Sequence, residues 1–197
     1  MSLFVKICGL TDPHAAECAA RAGVQAIGFV FAASPRRVSL GQAREIAKAI
    51  PADVLRVAVF RRPTRAEILR VVEAFRPDVV QADHDTLPHL EGVGLLPVYR
   101  EGGAGPADGG RFLFEGPVSG AGRQVELDVA SGVARLGEMI LAGGLDPGNV
   151  GEAVTTVRPF GVDVSSGVEA TPGVKSPELI ESFVAEARAA EERLVST

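Results

Sequence analysis

Groups able to do chemistry stand at the ends of successive short apolar runs in this sequence: Cys8, Arg36 with Arg37, Gln81 with Asp83, Glu115, Asp163, and Ser165 with Ser166. If those runs are parallel strands, the groups share one rim. A thiol, a guanidinium, carboxylates and hydroxyls on one rim suit acid/base work on a charged small molecule. Glycine clusters follow three of the same runs: Ser119-Gly120-Ala121-Gly122, Gly143-Gly144 and Ser165-Ser166-Gly167. Each is weak evidence alone, because turns use glycine anyway. Placed after three successive strands, they form loops whose backbone N–H groups suit a phosphate. Asp83, His84, Asp85 and His89 lack convergent ligand spacing and a cysteine partner, so no metal site is expected. Cys18 falls on the alanine-rich face of a helical pattern and is read as core.

The elements that must position these groups are legible from periodicity. Strand-like runs occupy Leu3–Cys8, Ala26–Phe31, Val54–Phe60, Val79–Ala82, Leu95–Tyr99, Arg111–Glu115, Met139–Ala142 and Phe160–Val164. Most are continuously apolar, as expected of parallel strands covered on both faces. Helical patterns with readable starts lie between them. Asp12 with Pro13, Ser39, Thr64 with Glu67 at capping-box spacing, Pro147, and Ser176 with Pro177 each precede an apolar stripe. Asp83–Gly94 has room for only a short helix, and Gly102–Gly110 is glycine-rich. The expected fold is α/β: a single small (β/α)8 TIM barrel over residues 1–197, with short or missing helices after strands four and five. A doubly wound open sheet uses the same alternation and is the competing topology.

Bulk properties agree with one domain and a small-molecule role. The chain has 197 residues, 46% of them hydrophobic, and a formal net charge of -5. That charge gives no general attraction to nucleic acid or to an anionic membrane, so an anionic ligand has to be held locally. The two cysteines are read as free thiols. The first residues do not read as a signal peptide and no run is long enough to span a membrane, so a cytoplasmic protein is expected.

The motifs Val5-Lys6-Ile7-Cys8-Gly9-Leu10-Thr11, Gly28-Phe29-Val30-Phe31 leading to Arg37, Leu141-Ala142-Gly143-Gly144-Leu145 with Pro147 and Asn149, and Val162-Asp163-Val164-Ser165-Ser166-Gly167-Val168-Glu169 with Pro172-Gly173 together resemble the phosphoribosylanthranilate isomerases of tryptophan biosynthesis. The likeness runs from Val5 to Lys175. It implies a cofactor-free Amadori rearrangement of a phosphorylated small molecule, in which an acid protonates the furanose ring oxygen and a base removes the C2 proton. By the same resemblance Cys8 is the base. Arg37 holds the substrate or orients charge near the acid, Asp163 bonds substrate hydroxyls, and Gln81 lies in the substrate pocket.

The family acid is an aspartate ending strand six, and two residues compete for that place. Asp128 ends a Val125–Asp128 run, but only about ten residues would then separate it from strand seven, where a parallel crossover wants a dozen or more. Strand six at Arg111–Glu115 leaves space for the Ser119–Gly122 loop and a helix over roughly residues 125–135. Glu115 is therefore assigned as the acid, an aspartate-to-glutamate change. A second departure follows strand four, where the family reads Gln-Leu-His-Gly and this chain reads Gln81-Ala82-Asp83-His84. Two alternatives stay open at this stage. One is a paralogous isomerase of another aminosugar phosphate, and the other is a non-catalytic phosphoribosyl-ligand binding barrel. A monomer and a homodimer are equally compatible with the sequence.

Overall fold

The computed structural model of the protein describes residues 2–107, 109–117 and 125–195. Eight parallel strands close into a barrel in sequence order: β1 (Phe4–Cys8), β2 (Ala26–Val30), β3 (Leu55–Val59), β4 (Val79–Asp83), β5 (Gly94–Arg100), β6 (Arg111–Glu115), β7 (Glu138–Leu141) and β8 (Gly161–Val164). Strand β1 pairs with β2 on one side and with β8 on the other, which excludes the open sheet. At that seam Lys6 lies in register with Asp163.

Alternation along each strand divides the apolar residues into two sets. Leu96, Val98, Leu113, Ile140 and Ala142 pack inside the barrel with Phe4, Val79 and Phe160. Val5, Ile7, Ile27, Phe29, Val80, Phe112, Met139, Leu141 and Val162 belong to the larger core beneath the helices. Burying a side chain such as the fully covered Phe29 is worth roughly 1.5–3 kcal/mol. The parity that sends Leu113 inward sends Glu115 inward too, and the same holds for Val98 with Arg100, Val79 with Gln81 and Asp83, and Phe4 with Lys6 and Cys8.

The outer layer contains α1 (Pro13–Arg21), α2 (Leu40–Ala47), α3 (Arg65–Phe75), α4 (Leu127–Val133), α5 (Val150–Val157) and α6 (Pro177–Val195). Asp12 caps α1, and Ser39 with Gln42 and Thr64 with Glu67 form capping boxes on α2 and α3. Among the described residues no helix joins β4 to β5 or β5 to β6, as the sequence indicates. Helix α4 lies inside its expected span and continues into a single 3-10 turn. A feature absent from the sequence reading is a small antiparallel hairpin after β8, made of β9 (Glu169–Thr171) and β10 (Val174–Lys175). Its strands are too short to show periodicity.

Candidate active site

The strand ends bring Cys8, Gln81, Asp83, Arg100, Glu115 and Asp163 to one rim of the barrel. Cys8 is the last residue of β1 and is only 7% exposed. Its thiol fits because the neighbouring strand carries Gly28: a Cβ there would lie 2.8 Å from Cys8 Sγ. One position below Cys8 on the inner face, Lys6 is completely buried and donates to Asp163 Oδ1 at 2.8 Å. Asp163 is thus the carboxylate partner of a buried lysine as well as a rim residue.

The hairpin adds a second buried cation. Lys175 Nζ donates to the Ser165 carbonyl at 2.8 Å and to Glu169 Oε1 at 2.9 Å, and Ser165 Oγ donates to the Cys8 carbonyl at 3.0 Å. Glu169 also accepts from Arg36, at 2.6 Å from Nε and 2.9 Å from Nη2. Burial pushes the Cys8 thiol up; the Lys6 and Lys175 charges pull it down, and Asp163 opposes them. Burial likewise pushes Asp163 up against Lys6 and Lys175, while it pushes Lys175 down against Glu169. Lys6, Arg36 and Lys175 face Asp163 and Glu169, so this cluster has one positive charge in excess. A Cys8 thiolate neutralises it, which offsets part of the burial that leaves the thiol pKa raised overall.

Across the rim, Arg100 Nη2 pairs with Glu115 Oε1 at 3.0 Å, and Arg100 Nη1 pairs with Asp83. Gln81 is buried on the same side of the rim, and its Oε1 has no hydrogen-bond partner among the described residues. An orphaned buried acceptor asks for a donor from a bound molecule.

The loops after β7 and β8 meet each other. Gly143 and Gly144 both have positive φ, a conformation open to glycine. A Cβ on Gly167 would fall 2.0 Å from the Leu145 carbonyl oxygen, so the second loop packs directly on the first. Asn149 clamps the first loop through Gly144 O at 2.9 Å and the Asp146 amide at 2.9 Å. Ser166 is exposed, Ser165 is half-buried, and both stand beside this junction. Ser119, Gly120, Ala121 and Gly122 lie outside the described residues.

Arg37 and Arg36 have different surroundings. Arg37 is exposed and lines a cleft of about 560 Å3 with Phe31, Phe60 and Arg61. It stands after β2, and the charge paired with Glu115 is that of Arg100. Arg36 is held bidentately by Glu169, and its charge interacts with Cys8. The sequence reading also missed Lys6, Lys175 and Arg100. Lys6 had a usable signal, a charge within an apolar run at the same parity as Cys8. Arg100 lies one residue past the expected end of its strand.

Residues 5–92 and 104–186 match the family described as N-(5'-phosphoribosyl)anthranilate (PRA) isomerase. This chain belongs to that family. The N-(5'-phosphoribosyl)anthranilate isomerase of Halorhodospira halophila is 40% identical over 204 residues, covering 95% of this chain and 98% of its own. The phosphoribosyl anthranilate isomerase structure from Thermotoga maritima superposes with a TM-score of 0.84 at 29% identity, covering 95% of this chain and 99% of that one. A phosphoribosyl anthranilate isomerase in complex with reduced 1-(o-carboxyphenylamino)-1-deoxyribulose 5-phosphate has a TM-score of 0.80 at 29% identity, with the same coverage. The family match and the closed barrel agree with the resemblance read from the motifs. Among the described residues no helix is long and apolar enough to cross a membrane, and no cluster of side chains is arranged to hold a metal ion.

Proposed function

We propose that this chain, as a single-domain cytoplasmic enzyme, converts N-(5-phosphoribosyl)anthranilate to 1-(o-carboxyphenylamino)-1-deoxyribulose 5-phosphate by general acid/base catalysis. The observation that carries the reading is the division of the rim. Cys8 sits in a cluster with one excess positive charge, and Glu115 stands on another part of the same ring of strand ends. Glu115 protonates the furanose ring oxygen, and the ring opens to an iminium. Cys8 thiolate takes the C2 proton, and the resulting enol-amine becomes the ketose. The two loops that meet at Gly144 and Gly167 hold the phosphate end, with Gly143, Ser165 and Ser166. Asp163 meets a sugar hydroxyl, the orphaned Gln81 Oε1 accepts from the substrate, and Arg37 attracts the anthranilate carboxylate from its exposed position.

Wild-type protein is expected to turn over phosphoribosylanthranilate with neither metal nor cofactor added. Cys8→Ala and Glu115→Gln are each expected to lower kcat by about 100-fold or more. Near-wild-type kcat in both folded variants would remove this assignment.

A further inference from the structure

The two departures from the family pattern, Glu115 for an aspartate and Asp83 for a histidine, end on one guanidinium. Arg100 and Glu115 are register partners on β5 and β6, and Arg100 spans from Glu115 at 3.0 Å to Asp83 on β4. Asp83 is only 3% exposed, and its second oxygen accepts the backbone N–H of Arg62 at 3.1 Å. The far end of the guanidinium is therefore anchored to a fixed carboxylate. A planar fork held at one end presents its other N–H groups in a defined direction.

We infer that Arg100 and Asp83 are positioning residues for Glu115: Arg100 orients the carboxyl, and Asp83 offsets the arginine charge so that Glu115 keeps its proton affinity. The inference rests on the reading of Glu115 as the acid. A glutamate reaches one methylene further than an aspartate and has one more torsion to fix, and a displacement of about 1 Å can cost on the order of 100-fold in rate. Gripping by Arg100 supplies the missing constraint. A lone guanidinium would also stabilise the carboxylate and strip the acid of its proton. Asp83, on the other side of the same guanidinium, counters that. The inner face of β7 carries the uncharged Ile140, and Ala142 follows it in the same apolar cluster. Glu101, next to Arg100, bonds the Glu115 carbonyl through its backbone N–H. Further round the rim stand Cys8, Lys6 and Asp163 on β1 and β8, with Arg36, Glu169 and Lys175 beside them.

The test is the pH profile of kcat/KM on phosphoribosylanthranilate for wild type, Arg100→Gln, Arg100→Lys, Asp83→Asn and Glu115→Gln, with folding checked by circular dichroism. Removing the cation leaves two carboxylates with no positive charge between them and raises the acid's pKa; removing the Asp83 charge lowers it. The limb belonging to the carboxyl is expected to move up by roughly one pH unit in Arg100→Gln and down by a similar amount in Asp83→Asn, while the other limb stays in place. Arg100→Gln should also lose kcat by about 100-fold with KM changed far less. Arg100→Lys keeps the charge and loses the fork, so its limb should remain near the wild-type position with only part of kcat recovered. Should Arg100→Gln fail to fold, the downward shift in Asp83→Asn carries the test, since that variant keeps the shape of the side chain. Limbs that stay fixed, or move in the same direction, while Glu115→Gln is inactive would overturn the positioning role alone. An active Glu115→Gln would overturn the acid assignment beneath it.

Discussion

The role proposed for Cys8 requires a thiol to ionise inside the protein, where its pKa is raised. Burial opposes ionisation, and Lys6 and Lys175 act against burial from below and from the side. Asp163 keeps Lys6 charged in a site where an unpaired ammonium would lose its proton: burial pulls the Lys6 pKa down, and the Asp163 and Cys8 charges raise it above its ordinary value. The sign of the consequence is definite. Lys6→Gln keeps a donor to Asp163 and removes the positive charge, so Cys8 becomes harder to ionise. The alkylation rate of Cys8, followed against pH in a Cys18→Ser background, is expected to rise with a midpoint roughly one pH unit higher than in the parent. An unchanged midpoint would show that Lys6 does not act on the thiol.

At the level of elements, the hairpin of β9 and β10 explains why a barrel needs more than its eight repeats to make a site. Glu169 opens the hairpin and Lys175 closes it, and their ion pair ties the turn to Ser165 and to Arg36 on the loop after β2. Thr11 Oγ1 adds a bond to the Gly173 carbonyl at 2.8 Å, so the hairpin tip is also held to the loop after β1. Glu169→Ala leaves Lys175 buried without its carboxylate and frees Arg36. Breaking a buried pair by removing one partner costs about 3–5 kcal/mol. Urea unfolding is expected to show a loss of that order; a loss below about 1 kcal/mol, the value of an exposed pair, would mean that the hairpin is not anchored through Glu169.

For the whole molecule, the decisive contact is the seam where β1 meets β8. A Cβ on Gly161 would lie 2.4 Å from the Phe4 carbonyl oxygen, so the first and last strands approach closely at the foot of the seam. Gly161→Ala forces them apart, and overpacking of this kind costs about 1–3 kcal/mol. At about 2–4 °C per kcal/mol for a chain of this size, the thermal midpoint should fall by several degrees. An unchanged midpoint would indicate that the seam has slack. Closure also sets the local electrostatics of a chain with a net charge of -5, because it brings Lys6 on β1 to Asp163 on β8.

Periodicity and turn chemistry by themselves determined the eight strands, each within one residue of its observed bounds, and the missing helices after β4 and β5. They also placed Cys8, Gln81, Glu115 and Asp163 on one rim, because a strand's alternation is local and decides which side chains face inward. Tertiary structure decided between barrel and open sheet, since that depends on whether β1 pairs with β8. It also decided which cations serve which acids. Lysine and arginine heads lie several bonds from their Cα atoms, so the partner of Arg36, Arg100 or Lys175 is set by what folding brings within reach. For that reason the neighbouring Arg36 and Arg37 could not be told apart by position: one turns in to Glu169, and the other stays in solvent.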